Sequence, residues 1–64
     1  MNIEAVKRVA DTGQAAKVDG VLMDILTAGA IKAVYDGLSP ESQARYEAMD
    51  LERAATIAWK LVKR

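Results

Sequence analysis

The residues best suited to chemistry in this sequence are two arginines and two aromatic residues near its C-terminal end. Arg45 and Tyr46 are adjacent, and Arg53 and Trp59 share the last predicted helix. An arginine offers a planar fork of donors to phosphate oxygens, and an aromatic ring offers a stacking face to a base. Arg45, Tyr46, Arg53 and Trp59 are therefore the candidate ligand-binding residues.

Each candidate also has a purely structural interpretation, and the sequence leaves both open. Arg45 follows Glu41 at the spacing of a salt bridge along a helix, and Tyr46 beside it suits a core position. Trp59 stands at the edge of an apolar stripe, where it could instead be a packed core tryptophan on a helix with a basic end.

The composition excludes several kinds of site. The 64 residues contain no cysteine and no histidine, so the sequence has no disulfide, no Cys/His zinc site and no cysteine or histidine catalysis. No glycine-rich phosphate-binding motif occurs, and the nine acidic residues show no spacing typical of an acid–base pair. We expect no catalytic residue, no metal and no cofactor, and hence no enzyme.

Length and charge favour a small domain that associates with itself. One domain over residues 1–64 buries only about 60% of its unfolded surface, and partner subunits are one of the few remaining ways to stabilise it. The net charge of zero opposes self-association little and disfavours nucleic acid as a partner. No apolar run could cross a membrane and no signal peptide is recognisable, so we expect a cytoplasmic homo-oligomer.

The pattern of caps and apolar residues predicts a mainly α fold with about four helices and a short β-hairpin after the first. Asp19-Gly20 between apolar residues is a strong hairpin signal for residues 17–24, with an ordered loop as the alternative. The predicted helices cover about residues 3–11, 25–36, 40–49 and 51–63, after the caps Asn2, Asp24, Ser39 and Asp50.

The last predicted helix has an apolar face that covers more than half of its circumference. A face this wide needs cover on two sides, one from its own domain and one from a second subunit. Leu61 lies near the middle of this arc, so we expect a charge placed there to unfold or dissociate the protein.

The stretch from about residue 17 to residue 62 resembles a family of very short proteins encoded by tailed bacteriophages. The matching residues are Val18-Asp19-Gly20, Met23-Asp24, Thr27-Ala28, Ala30-Ile31, Val34-Tyr35-Asp36, Leu38, Gln43, Met49 and Ile57-Ala58-Trp59-Lys60-Leu61. The resemblance implies an accessory protein in the host cytoplasm that counters host defence. It would act as a "sponge", an oligomer that holds a nucleotide immune signal similar to cyclic ADP-ribose without cleaving it.

Two other functions remain open. A small helical domain could lay an apolar helix face on a host protein and inhibit it. Binding of DNA through the third and fourth helices is the second alternative, and the neutral charge argues against it.

Overall fold

The computed structural model describes residues 1–62. They form α1 (Ile3–Thr12), β1 (Ala16–Val18), β2 (Val21–Met23), α2 (Ile25–Asp36), α3 (Pro40–Glu47) and α4 (Leu51–Val62). The prediction of a mainly α fold with four helices and a hairpin after the first is confirmed. The third helix is two residues shorter than predicted, and Lys63, the predicted end of the fourth, lies outside the described residues.

Each helix begins after a side chain that accepts a hydrogen bond from a backbone N–H of its first turn. The acceptors are Asn2, Asp24, Ser39 and Asp50, at 3.2, 2.6, 3.4 and 2.8 Å from the nitrogen. Because the first N–H groups of a helix have no partner within the helix, these caps fix where each one starts. All four predicted caps are confirmed.

The hairpin turns at Asp19 and Gly20, which have φ angles of 51° and 78°. Positive φ at both central residues is typical of the two-residue type I′ turn, whose twist matches that of paired strands. The antiparallel register places Lys17 opposite Leu22 on the outer face, while Val18 and Met23 are buried. The segment is therefore a hairpin and not the ordered loop that was the alternative.

The core lies between α2 and its two neighbours, α1 and α4. Four of the buried residues are alanines, which let helix axes approach closely but bury little area each. The buried residues are Ile3, Val6, Val9, Val18, Met23, Ala28, Ala30, Ile31, Tyr46, Leu51, Ala54 and Ala58.

The α4 helix presents only part of its apolar arc to the core. Leu51, Ala54 and Ala58 are buried, whereas Leu61 and Val62 are 50% and 51% exposed. The apolar arc is thus divided, and Leu61 lies on the part that the single chain leaves half exposed. The small alanine side chains allow α4 to pack closely with its alanine side inward, which turns Leu61 towards the surface.

The N-terminal ammonium group connects the start of the chain to the link between α3 and α4. It donates hydrogen bonds to the backbone oxygens of Glu47 and Met49, the second at 2.9 Å. The first carbonyl belongs to the last turn of α3 and the second lies two residues after it, where the helix dipole favours a positive charge. The start of α1 is thereby held against the link between α3 and α4.

Substitutions of two glycines, one in the hairpin turn and one in α2, test the geometry of the turn. We expect Gly20→Ala to lower the free energy of unfolding by about 1–2 kcal/mol, because a Cβ strains a left-handed residue. Gly29→Ala is the matched control: it lies in α2 with nothing within 4 Å of the added Cβ. It should raise the free energy of unfolding by up to about 1 kcal/mol. Urea denaturation of both variants measures this, and equal losses would contradict the turn geometry.

Candidate functional site

Tyr46 is a core residue that joins α3 to α4. Its side chain is 3% exposed, and its hydroxyl donates a hydrogen bond to the backbone oxygen of Ala54 at 2.7 Å. Burial raises the pKa of Tyr46 to about 12. In this position the faces of the ring are covered by protein, so Tyr46 serves packing rather than stacking on a ligand.

Trp59 and Arg53 lie on different sides of α4. The half-buried Trp59 donates from Nε1 to Thr27 Oγ1 at 3.3 Å, which places it against the first turn of α2. Arg53 is exposed, and the angular step of about 100° per residue sets the two side chains about 120° apart around the helix. They do not form one binding surface within a single chain.

Arg45 stands at the mouth of an apolar cleft between α2, α3 and α4. Among residues 1–62 one ion pair is formed, between Lys32 and Asp11 at 2.6 Å. The predicted pair between Glu41 and Arg45 is therefore not formed. The exposed Arg45 guanidinium is therefore available to a ligand or partner. The cleft has a volume of about 240 Å³ and is lined by Val34, Leu38, Ser42, Arg45, Tyr46, Met49, Ile57 and Leu61.

The structure thus divides the four predicted site residues into three places. Arg45 and the buried Tyr46 share the cleft, Trp59 packs on α2, and Arg53 is not among the lining residues. A nucleotide site that uses Arg45, Arg53 and Trp59 would need contributions from more than one chain, and the buried Tyr46 offers it no stacking face.

A second region was not predicted from the sequence. It lies at the N-terminal ends of α2 and α4, away from the cleft beside Arg45. Here the hairpin and the first turn of α4 form two adjoining clefts that share Val21, Leu51 and Glu52. The side chain of Leu22 in this region is 70% exposed. Strand alternation could have revealed it, because Leu22 must face away from the buried Met23.

The other groups with shifted pKa values in the described chain have structural causes. A backbone hydrogen bond from Thr27 lowers the pKa of Asp24, which caps α2. The hydrogen bond to Asp11 raises the pKa of Lys32, and the hydrogen bond to Glu47 raises that of Tyr35. Within residues 1–62, no three acidic side chains are grouped so that they could hold a metal ion.

Comparison with known proteins gives no relative for this chain. No family model, curated protein or solved structure matches it. The resemblance to short phage proteins therefore stays a prediction. None of the helices in residues 1–62 is long and apolar enough to span a membrane.

The burial of Tyr46 has a consequence at alkaline pH. Since its pKa rises from 10.0 to about 12 on folding, the folded state holds the proton more tightly over that interval. This contribution to stability is present in full below pH 10 and is lost as the pH rises towards 12. We expect Tyr46→Phe to cost about 1 kcal/mol at neutral pH, for the lost hydrogen bond, and to weaken the pH dependence of stability above pH 10.

Urea denaturation at a series of pH values compares this variant with Tyr35→Phe. The Tyr35 hydroxyl donates a hydrogen bond to Glu47 at 2.9 Å, which also raises its pKa. Because Tyr35 is less buried than Tyr46, we expect Tyr35→Phe to weaken the alkaline dependence less than Tyr46→Phe does. An unchanged alkaline dependence in Tyr46→Phe would show that the ring is not held in the core.

Proposed function

We propose that this chain is a non-catalytic binding protein that works as a homo-oligomer. The observation that carries the proposal is a set of large apolar side chains that the single chain leaves at least 40% exposed. They are not scattered: four lie within residues 21–26 and two are adjacent on α4. The residues are Val21, Leu22, Ile25, Leu26, Leu61 and Val62.

Grouped exposed apolar side chains indicate an interaction surface, whereas single ones are normal on any protein. Complete burial of an exposed leucine side chain stabilises a contact by about 1.5–3 kcal/mol. Burial of even half of this set would therefore stabilise an interface. A second copy of this chain is the partner we propose. The chain has no net charge to oppose the contact, and its short, alanine-containing core leaves stability to be gained.

The mass of the protein in solution tests this proposal. A single chain has a mass of 6.9 kDa, and we expect light scattering at micromolar concentration to give at least twice that value. A monomer would contradict the proposal. It would leave the alternative in which the same apolar side chains bind a host protein, and capture of one specific host protein by the monomer would then support inhibition.

Sequestration of an anionic nucleotide is the second candidate, as part of the counter-defence role that the resemblance implies. The observation that favours it is that Arg45 and Arg53 are both exposed and take part in no ion pair within residues 1–62. Arg45 also borders an apolar cleft, so a phosphate on the arginine would bring the rest of a ligand to an apolar wall. In an oligomer, Trp59 and Arg53 of other copies would complete the set.

Calorimetric titration with cyclic nucleotides and ADP-ribose isomers tests the second candidate. We expect Arg45→Ala to weaken binding by at least about tenfold, as for loss of a hydrogen bond to a charged group. Arg8→Ala is the matched control, since Arg8 is an exposed arginine on α1 that borders a different cleft. Binding of no compound would remove this candidate, and a cleaved ligand after denaturation would reveal an enzyme.

A further inference from the structure

We infer that copies of this chain bind head to tail, with one end of the α2–α4 pair contacting the opposite end of the pair in the next copy. The inference rests on the proposed homo-oligomer and adds which surfaces meet. The hairpin end is the surface formed by Asp19, Val21, Leu22, Asp24, Asp50 and Glu52. The cleft end is the surface formed by Val34, Leu38, Arg45, Ile57, Leu61 and Val62.

The clefts at the two ends are lined by residues of opposite charge, while Lys17 lies beside Leu22 on the outer face of the hairpin. Every charged residue that lines the clefts of the hairpin end is acidic: Asp19, Asp24, Asp50 and Glu52. At the cleft end Arg45 is the one charged residue among the described lining residues, and exposed Lys60 precedes Leu61. Complementary charges across an interface favour the encounter of these surfaces and disfavour the contact of like with like.

Three of the four carboxylates already have a structural role. Asp24 and Asp50 cap helices, and Asp19 Oδ2 accepts a hydrogen bond from the Asn2 N–H at 3.0 Å. Glu52 is exposed in the first turn of α4 and makes no side-chain hydrogen bond or ion pair within residues 1–62. It is therefore the carboxylate at this end that is available to a cation of another copy.

Apolar side chains accompany the charges at both ends. Leu22 is 70% exposed at the hairpin end, and Leu61 and Val62 are about half exposed at the cleft end. The cleft of about 240 Å³ beside Arg45 gives an apolar side chain of a neighbour a place to enter. Leu22, on the outer face of the hairpin, is the side chain that best reaches it.

The two ends lie apart along the axes of α2 and α4. Both α2 and α4 have 12 residues and extend from one end to the other, which at 1.5 Å per residue separates the ends by about 18 Å. A two-fold contact through the hairpin end would set carboxylates against carboxylates. A head-to-tail contact leaves one free surface at each end of the assembly, so it closes into a ring or continues as a filament.

Two single variants test the inference because each disrupts the contact surface at one end. Leu22→Arg places a cation where the Arg45 side of the next copy would bind, and Leu61→Glu places an anion where the acidic hairpin end would bind. Both positions are at least half exposed in the single chain, so each variant should keep its fold, checked by circular dichroism. We expect each alone to need at least about tenfold higher concentration to assemble.

Mixing the two variants gives the decisive result. Each retains one intact end, and the intact ends are complementary, so we expect the mixture to form at least a heterodimer in native mass spectrometry. If one variant assembles as well as the wild type, the contact is two-fold through its intact end and the inference is overturned. If neither variant assembles alone and the mixture stays monomeric, it is overturned as well.

Gln14→Arg is the matched control. It adds the same charge at an exposed position between α1 and β1 that borders a different cleft, so this variant should assemble like the wild type. Loss of assembly in Gln14→Arg would show that an added charge anywhere disrupts the oligomer and would contradict the assignment of the two ends. A wild-type monomer would refute the homo-oligomer itself, whereas a wild-type oligomer with the wrong mixing result refutes only the arrangement of its surfaces.

Discussion

The close packing of α2 against α1 and α4 is the interaction on which the rest of this structure depends. Ala28 and Ile31 of α2 are completely buried, as are Ala54 and Ala58 of α4. With alanine at most of these positions the helices pack closely, but each contact removes little apolar area from water. The single chain thus gains a well-defined helix arrangement with a small burial energy.

The position of the large apolar residues follows from this packing. When the alanine side of α4 turns inward, Leu61 is left at the surface, and the tight turn at Asp19-Gly20 directs Leu22 outward. The capping carboxylates gather at one end of the α2–α4 pair and Arg45 at the other. The same features that determine the fold therefore leave apolar side chains exposed at both ends of this pair, and the proposed interface is based on these side chains.

The local structure was predictable because each signal depends on one or two residues. A capping side chain bonds only to the first turn of its own helix, and the turn at Asp19-Gly20 depends only on two residues that tolerate positive φ angles. Both features were therefore predicted. The orientation of α4 was not predicted, because its apolar arc is so wide that several parts of it could pack against α2. The candidate site failed to gather in one chain for the same reason: Tyr46 and Trp59 were both used in packing α4.

We propose that, because the core is small, the stability of each chain depends on contact with another copy. When chains associate on folding, the thermal unfolding midpoint depends on protein concentration. The midpoint should therefore be measured over about a hundredfold range of protein concentration. We predict that the midpoint of the wild type rises with concentration and that the midpoint of Leu22→Arg does so less. A wild-type midpoint that is constant over the whole range would show that the stability of a chain does not depend on a second copy.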